Sequence, residues 1–225
     1  MTEQSLNSEL LQSTVHQYPW LGESIDRLRE VGHDYWSRGW SRGTSSNYSV
    51  VFDRNPFRLL VTASGKDKGH LGRNDFVIVD QDGNLTPTDQ AKSSAETLLH
   101  CSAVLHQNAG AVLHTHSVWA TILSQHYSAL KGIWIEGFEM LKGLEGISTH
   151  ESKIWLPIFD NTQDIPALRK EVEAYWLKNP STRCWGYLIR QHGMYCWGSD
   201  LSQAIRHMEV LEFLLECLGR RMSVL

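Results

Sequence analysis

The segment Ala111-Val112-Leu113-His114-Thr115-His116 constrains this chain more than any other. Its apolar start reads as a short strand. Residues two apart on a strand project to the same face, so His114 and His116 present two imidazoles side by side. Such a pair can grip one ion as neighbouring ligands. Zinc takes imidazole nitrogen at about 2.0–2.1 Å, and catalytic zinc commonly keeps three protein ligands and one open position. A third ligand is needed, and His192 is the best candidate. Gln191-His192-Gly193 sits at the turn between two apolar strands, Trp185 to Arg190 and Met194 to Trp197, and Gly193 lets the backbone crowd the site. Spacing alone leaves a coincidental pair and a structural His-Gly turn open. Among the other histidines, His100 and His106 lie six apart on an expected helix and share no face. His126, His150 and His207 have no partner at metal spacing, and His16, His33 and His70 are expected to face solvent.

Composition narrows the chemistry further. The four cysteines, Cys101, Cys184, Cys196 and Cys217, form no Cys-x-x-Cys motif and read as reduced thiols, so metal ligands must be histidine and carboxylate. A net charge of -4 without any basic run gives no nucleic-acid footprint. No stretch approaches the ~20 apolar residues that cross a membrane, and the N-terminus lacks a signal-peptide pattern. A cytoplasmic protein with no nucleic-acid or membrane partner is expected. The 225 residues show no repeat and no linker, so one continuous domain over 1–225 is expected.

The coarse pattern alternates strands and helices. A short helix is expected over Asn7 to Gln12 and a longer one from Trp20 to Trp36 behind Pro19, with Gly39 as a left-handed cap. Strands are expected at Tyr48–Phe52, Arg58–Val61, Asp75–Val79, Gly132–Ile135 and Ile154–Leu156. Helices are expected at Ser94–Gln107, Ser117–Gln125 and Ile165–Leu177, and from Asp200 as cap to about Leu218. Hairpin signals beside helical crossovers predict a mixed sheet covered by helices.

Two further features bear on chemistry. Thr44-Ser45-Ser46-Asn47, Thr62-Ala63-Ser64-Gly65-Lys66 and Ser93-Ser94 offer backbone N–H and hydroxyl donors suited to phosphate, although each also reads as an ordinary loop. No Walker or Gly-x-Gly-x-x-Gly motif is present, so nucleotide binding has no support. Glu96, in the first turn of its expected helix, and Glu139 are carboxylates that can move protons, or simply solvated helix charges.

In order along the chain, Gly43-Thr44-Ser45-Ser46-Asn47-Tyr48-Ser49, Thr62-Ala63-Ser64-Gly65, Ser93-Ser94-Ala95-Glu96, Gly110 to His116 and Gln191-His192-Gly193 resemble the class II aldolase/adducin family, over about residues 20–220. The resemblance implies an α/β fold of three layers, α/β/α, with a mixed, mainly antiparallel central sheet. It also implies a homotetramer with sites at subunit interfaces and one Zn2+ per subunit on His114, His116 and His192. Glu139-Met140-Leu141-Lys142-Gly143, Pro157-Ile158-Phe159-Asp160-Asn161-Thr162 and Gln191 to Gly198 are most similar to the family's dehydratases, which act on a small phosphorylated ketose in methionine salvage. By that likeness Glu139 is the catalytic acid/base, its pKa raised by burial beside Phe138 and Met140. Asn47, Ser64, Gly65 and Ser93 bind phosphate, and Glu96 lines the substrate pocket. The fuculose-type aldolases place their base in a Ser-Ser-Glu motif, which here carries Ala95 inserted before Glu96. A sugar-phosphate aldolase or epimerase is the alternative enzyme. An adducin-like binding protein is the non-enzymatic one, disfavoured because all three histidines are present.

Overall fold

Neighbouring residues of one strand feed two separate cores. Leu113 and Val112, both fully buried, belong to different apolar clusters on opposite faces of a sheet. The computed structural model describes residues 3–87 and 91–224. Its elements are α1 (Glu3–Gln17), α2 (Trp20–Ser37), β1 (Asn47–Arg54), β2 (Phe57–Thr62), β3 (Phe76–Val79), α3 (Thr97–Gln107), β4 (Ala111–Thr115) and α4 (Val118–His126). They continue with β5 (Gly132–Glu136), β6 (Lys153–Phe159), α5 (Ile165–Lys178), β7 (Gly186–Ile189), β8 (Gly193–Gly198) and α6 (Leu201–Val224). The strands form one sheet in the order β3-β2-β1-β4-β8-β7-β6-β5. Every pairing is antiparallel except β6 with β7, the pair joined by the α5 crossover. The expected mixed, mainly antiparallel α/β/α sheet is therefore observed.

Helices cover both faces. On one, Leu28 of α2, Leu123 of α4 and Leu211 of α6 pack over Leu60, Leu113 and Leu188. On the other, Leu99 of α3 and Val172 of α5 pack over Leu59, Val112 and Tyr187. The spacing of Leu21, Ile25, Leu28, Gly32 and Tyr35 gives α2 its buried stripe. Gly32 is required there: a Cβ would stand 2.5 Å from the Lys68 carbonyl oxygen, so the helix could not reach the turn at Lys68–His70.

Helix ends differ from the sequence expectation. Helix α1 spans 15 residues rather than the short expected turn, and α6 runs to Val224. Asp200 does cap α6, its Oδ1 accepting from the Gln203 N–H at 2.8 Å. Helix α3 starts at Thr97, not Ser94, because Ser94 Oγ accepts from the Glu96 N–H and holds that turn outside the helix. Among the described residues no helix is long and apolar enough to cross a membrane.

Strand β4 lies between β1 and β8, with Asn47 opposite His114 and Tyr195 opposite His114 on the other side. Leu113→Ala is expected to destabilise the protein by about 2–5 kcal/mol, the range for emptying a buried leucine site. Urea unfolding would read it, and a loss below about 1 kcal/mol would mean that β4 does not anchor the core.

Candidate metal centre

Three imidazoles converge at the end of β4. His114 is fully buried and stacks on Tyr195 with ring centroids 4.0 Å apart. Its Nδ1 lies 3.0 Å from the Met194 carbonyl oxygen. A carbonyl only accepts, so Nδ1 carries the proton and Nε2 is left with a bare lone pair. His116 follows β4 directly, its backbone N–H donating to the Trp40 carbonyl at 2.7 Å. Its Nε2 stands 2.8 Å from Nε2 of His114. His192 occupies the β7–β8 turn after Gln191, whose φ is 54°. Its Nδ1 lies 3.3 Å from Oδ1 of Asn161, which turns Nε2 inward. The carbonyl of His192 accepts from Thr121 Oγ1 at 3.2 Å. Gly193 is needed at this turn: a Cβ would sit 2.0 Å from the Thr115 carbonyl oxygen and 3.2 Å from Cε1 of His114.

The donor set fits a divalent ion. One ring nitrogen from each histidine lies within 4.8 Å of the others. Tetrahedral zinc ligands with bonds of 2.0–2.1 Å would stand about 3.3 Å apart. Burial, then the neighbouring imidazoles, keeps the His114 and His116 rings neutral and ready as ligands. His116 is pushed down to about 4 by burial and His192, with Glu96 opposing, and His114 falls well below the usual histidine range by burial and then His116.

Glu96 completes the cluster. Its Oε1 is 3.1 Å from Nε2 of His192, and its Oε2 is 3.7 Å from Nε2 of His114. Asn47 Nδ2 donates to Oε2 at 2.9 Å. Burial raises this carboxyl, but the hydrogen bonds from His192 and Asn47 and its electrostatic attraction to the neighbouring imidazoles outweigh it and hold it below the usual carboxylate range. The residue immediately precedes α3 and makes no cap with its side chain. Ala95, inserted before it, is exposed, so the insertion bulges outward and leaves the carboxylate in the site.

His100, set aside on sequence spacing, is fully buried behind this carboxylate. Ser49 Oγ donates to its Nδ1 at 2.7 Å, and its Nε2–H donates to Oδ1 of Asn47. The Asn47 amide is thereby turned to present Nδ2 to Glu96. Pattern reading missed His100 because its partner Ser49 lies 51 residues away and on β1.

Beside the cluster is a cavity of about 100 Å³ lined by Asn47, Ser64, Gly65, Ser94, Glu96 and His116, among others. Lys68, which the sequence reading passed over, also lines it. Ser93 does not; it forms an isolated β-bridge with Ala63. Glu139 lies elsewhere in the chain, on a 3₁₀ turn, with 71% of its side chain exposed. Lys142 Nζ donates to its Oε1 at 2.6 Å, and His150 is 3.7 Å from its Oε2. The hydrogen bond and charge of Lys142 lower its pKa, which corrects the expected upward shift: Met140 is itself 39% exposed and cannot desolvate the carboxylate.

His100 and His116 accept protons near pH 6.5 in the unfolded chain but only near pH 4 when folded. Between those values the unfolded state binds more protons, so stability falls as pH falls. The metal-free protein is expected to lose melting temperature progressively from pH 6.5 to 4. A flat profile by calorimetry would mean that these rings are not held neutral.

The family described as Class II Aldolase and Adducin N-terminal domain matches residues 26–218. A methylthioribulose-1-phosphate dehydratase of Marinobacter nauticus is 47% identical over 189 residues, 84% of this chain and 88% of that protein. One from Pseudomonas aeruginosa is 45% identical over 192 residues, 85% of this chain and 91% of the other. Among solved structures, L-fuculose-1-phosphate aldolase from Thermus thermophilus superposes with a TM-score of 0.70 at 22% identity, covering 90% of this chain and 97% of that one. A sugar-phosphate aldolase from Thermotoga maritima gives 0.61 at 18% identity, covering 90% and 96%. The fold, the order of its polar loops and this extent of match place the chain in the class II aldolase/adducin family.

Proposed function

We propose that this chain is a methylthioribulose-1-phosphate dehydratase, a hydro-lyase that converts 5-methylthioribulose 1-phosphate to 5-methylthio-2,3-diketopentyl 1-phosphate and water. The observation that carries this reading is the histidine triad opening beside a cavity of small polar donors, in a chain 47% identical to a protein of that name over most of its length.

The substrate carries a 2-ketone, hydroxyls on carbons 3 and 4, and phosphate on carbon 1. His114, His116 and His192 hold the metal, zinc in this reading, one per subunit. When bound, it supplies Lewis-acid polarisation of the substrate oxygens. Asn47, Ser64, Gly65 and Ser93 receive the phosphate: Ser64 and Gly65 through exposed donors at the cavity, Ser93 by fixing the loop at Ala63. A base takes the carbon-3 proton and the 4-hydroxyl leaves as water. The resulting enol returns to a ketone at carbon 3, which gives the diketone.

Glu139 is the acid/base of this reading, delivered to the metal centre by a neighbouring copy in a homotetramer. Its exposure, 71% of the side chain, suits a residue that acts outside its own subunit. Val118 and Ile122 on α4, directly after the metal strand, are 63% and 51% exposed and offer an apolar seat for such a neighbour. A second reading, aldol cleavage or epimerisation of another sugar phosphate, is favoured by Glu96, whose carboxylate already touches His192.

Mass spectrometry of products from purified protein and 5-methylthioribulose 1-phosphate tests the proposal. A product lighter by one water, abolished by a chelator and restored by zinc, is expected; two fragments or an isomer of equal mass would support the second reading. His116→Ala is expected to lose both metal and turnover while remaining folded, and full turnover would remove it from the site. Glu139→Gln is expected to retain zinc and lose about 10²–10⁴-fold in kcat, the scale of general acid–base catalysis. Near-normal turnover in that variant, with loss in Glu96→Gln, would move the role to Glu96.

A further inference from the structure

Lys68 is 1% exposed, an unusual place for an ammonium group. Its Nζ donates to the Lys66 carbonyl at 2.6 Å and to the Thr44 carbonyl at 3.4 Å. Among the described residues no carboxylate lies within ion-pair distance of it. Lys66 differs: it is paired with Asp75 at 2.8 Å. The Lys68 side chain lines the cavity beside the triad, together with Asn47, Ser64, Gly65 and His116. Its backbone is fixed from behind, since Gly32 of α2 meets its carbonyl and Gly69 packs under the Trp36 ring. The amine is therefore held at one spot rather than swinging in solvent.

A buried ammonium with two carbonyl dipoles and no carboxylate in direct contact is incompletely compensated. Burial accordingly pushes Lys68 down to about 8, against the raising charges of Asp67, Asp75 and Glu96. The remaining donor and the unmatched charge point to an anion in the cavity. The neighbouring donors at Ser64, Gly65 and Asn47 are neutral, so they shape an anion site without balancing its charge.

We infer that Lys68 pairs with the phosphate of the ketose substrate and sets the protein's preference for phosphorylated over unphosphorylated ketoses. This rests on the proposed reading of the site as one for a ketose phosphate. The neutral loops fix where the phosphate oxygens go, and Lys68 makes their charge count. In a buried setting a charged hydrogen bond discriminates far more strongly than in water.

The test uses zinc-loaded protein, with inorganic phosphate as the probe, by titration calorimetry. Lys68→Gln retains a polar N–H donor on the side chain but removes the charge. It is expected to keep its zinc content and melting temperature, and to weaken phosphate binding by about 10- to 100-fold, as for loss of a charge-assisted hydrogen bond. KM for the ketose phosphate should rise similarly while kcat changes little, and Lys68→Arg should recover part of the affinity. Lys68→Met is the second variant, and either one, folded, decides the matter. Unchanged phosphate affinity in a folded, zinc-replete variant would overturn the inference, as would a wild-type protein that does not bind phosphate. If wild type bound phosphate through Lys68 yet turned over no 5-methylthioribulose 1-phosphate, the inference would stand and the dehydratase reading would fall.

Discussion

Everything at this site depends on His114 and His116 remaining uncharged within reach of each other. Two Nε2 atoms only 2.8 Å apart cannot both carry a proton and a charge without strong repulsion. Burial removes the water that would stabilise the charged forms. The Met194 carbonyl and the Asn161 side-chain oxygen then decide which nitrogen of His114 and of His192 faces the centre. The sheet supplies these constraints through its central pairing of β4 with β8, which sets the strand of one ligand beside the turn that carries another. The fold thus creates a place where three imidazole nitrogens converge, and its two cores keep it rigid.

Glu96 provides the opposing charge, and its own placement reaches deep into the second core. The line from Ser49 through His100 and Asn47 to Glu96 contains only one group that meets the site's cavity by charge; the others orient it. A fully buried polar chain of this kind tolerates little slack, because each member satisfies the next. It ties the register of β1 against β4 to the direction of a carboxylate oxygen. Packing and chemistry are consequently set by the same strand pairing.

Much of the architecture was legible in the sequence. The alternating apolar runs located the eight strands closely, and the three histidines were found from strand periodicity and a hairpin turn. What periodicity does not carry is long-range partnership. His100 looked like an ordinary helical residue because its role depends on Ser49 and Asn47 across the sheet. Lys68 drew no notice because the turn that carries it is fixed by Gly32 and Trp36 on a different element. The expected start of α3 was too early, since Ser94 closes a turn around the inserted Ala95 instead of entering the helix. Glu139 was assigned through family likeness. The chain displays it on the surface beside Lys142, where its local sequence reads as an ordinary solvated charge.

The position of β8 has a consequence for how the site comes into being. It lies at the centre of the sheet, between β4 and β7, yet among the described residues it is the last strand in chain order. The bond from His114 to the Met194 carbonyl spans 80 residues. During synthesis on the ribosome, β4 therefore waits with one edge unpaired, its histidines without their orienting carbonyl, until β8 has been made. The late-arriving hairpin brings the third ligand, the orienting carbonyl and the closing strand together. The three candidate ligands thus meet only once β4, the β7–β8 turn and β8 have paired.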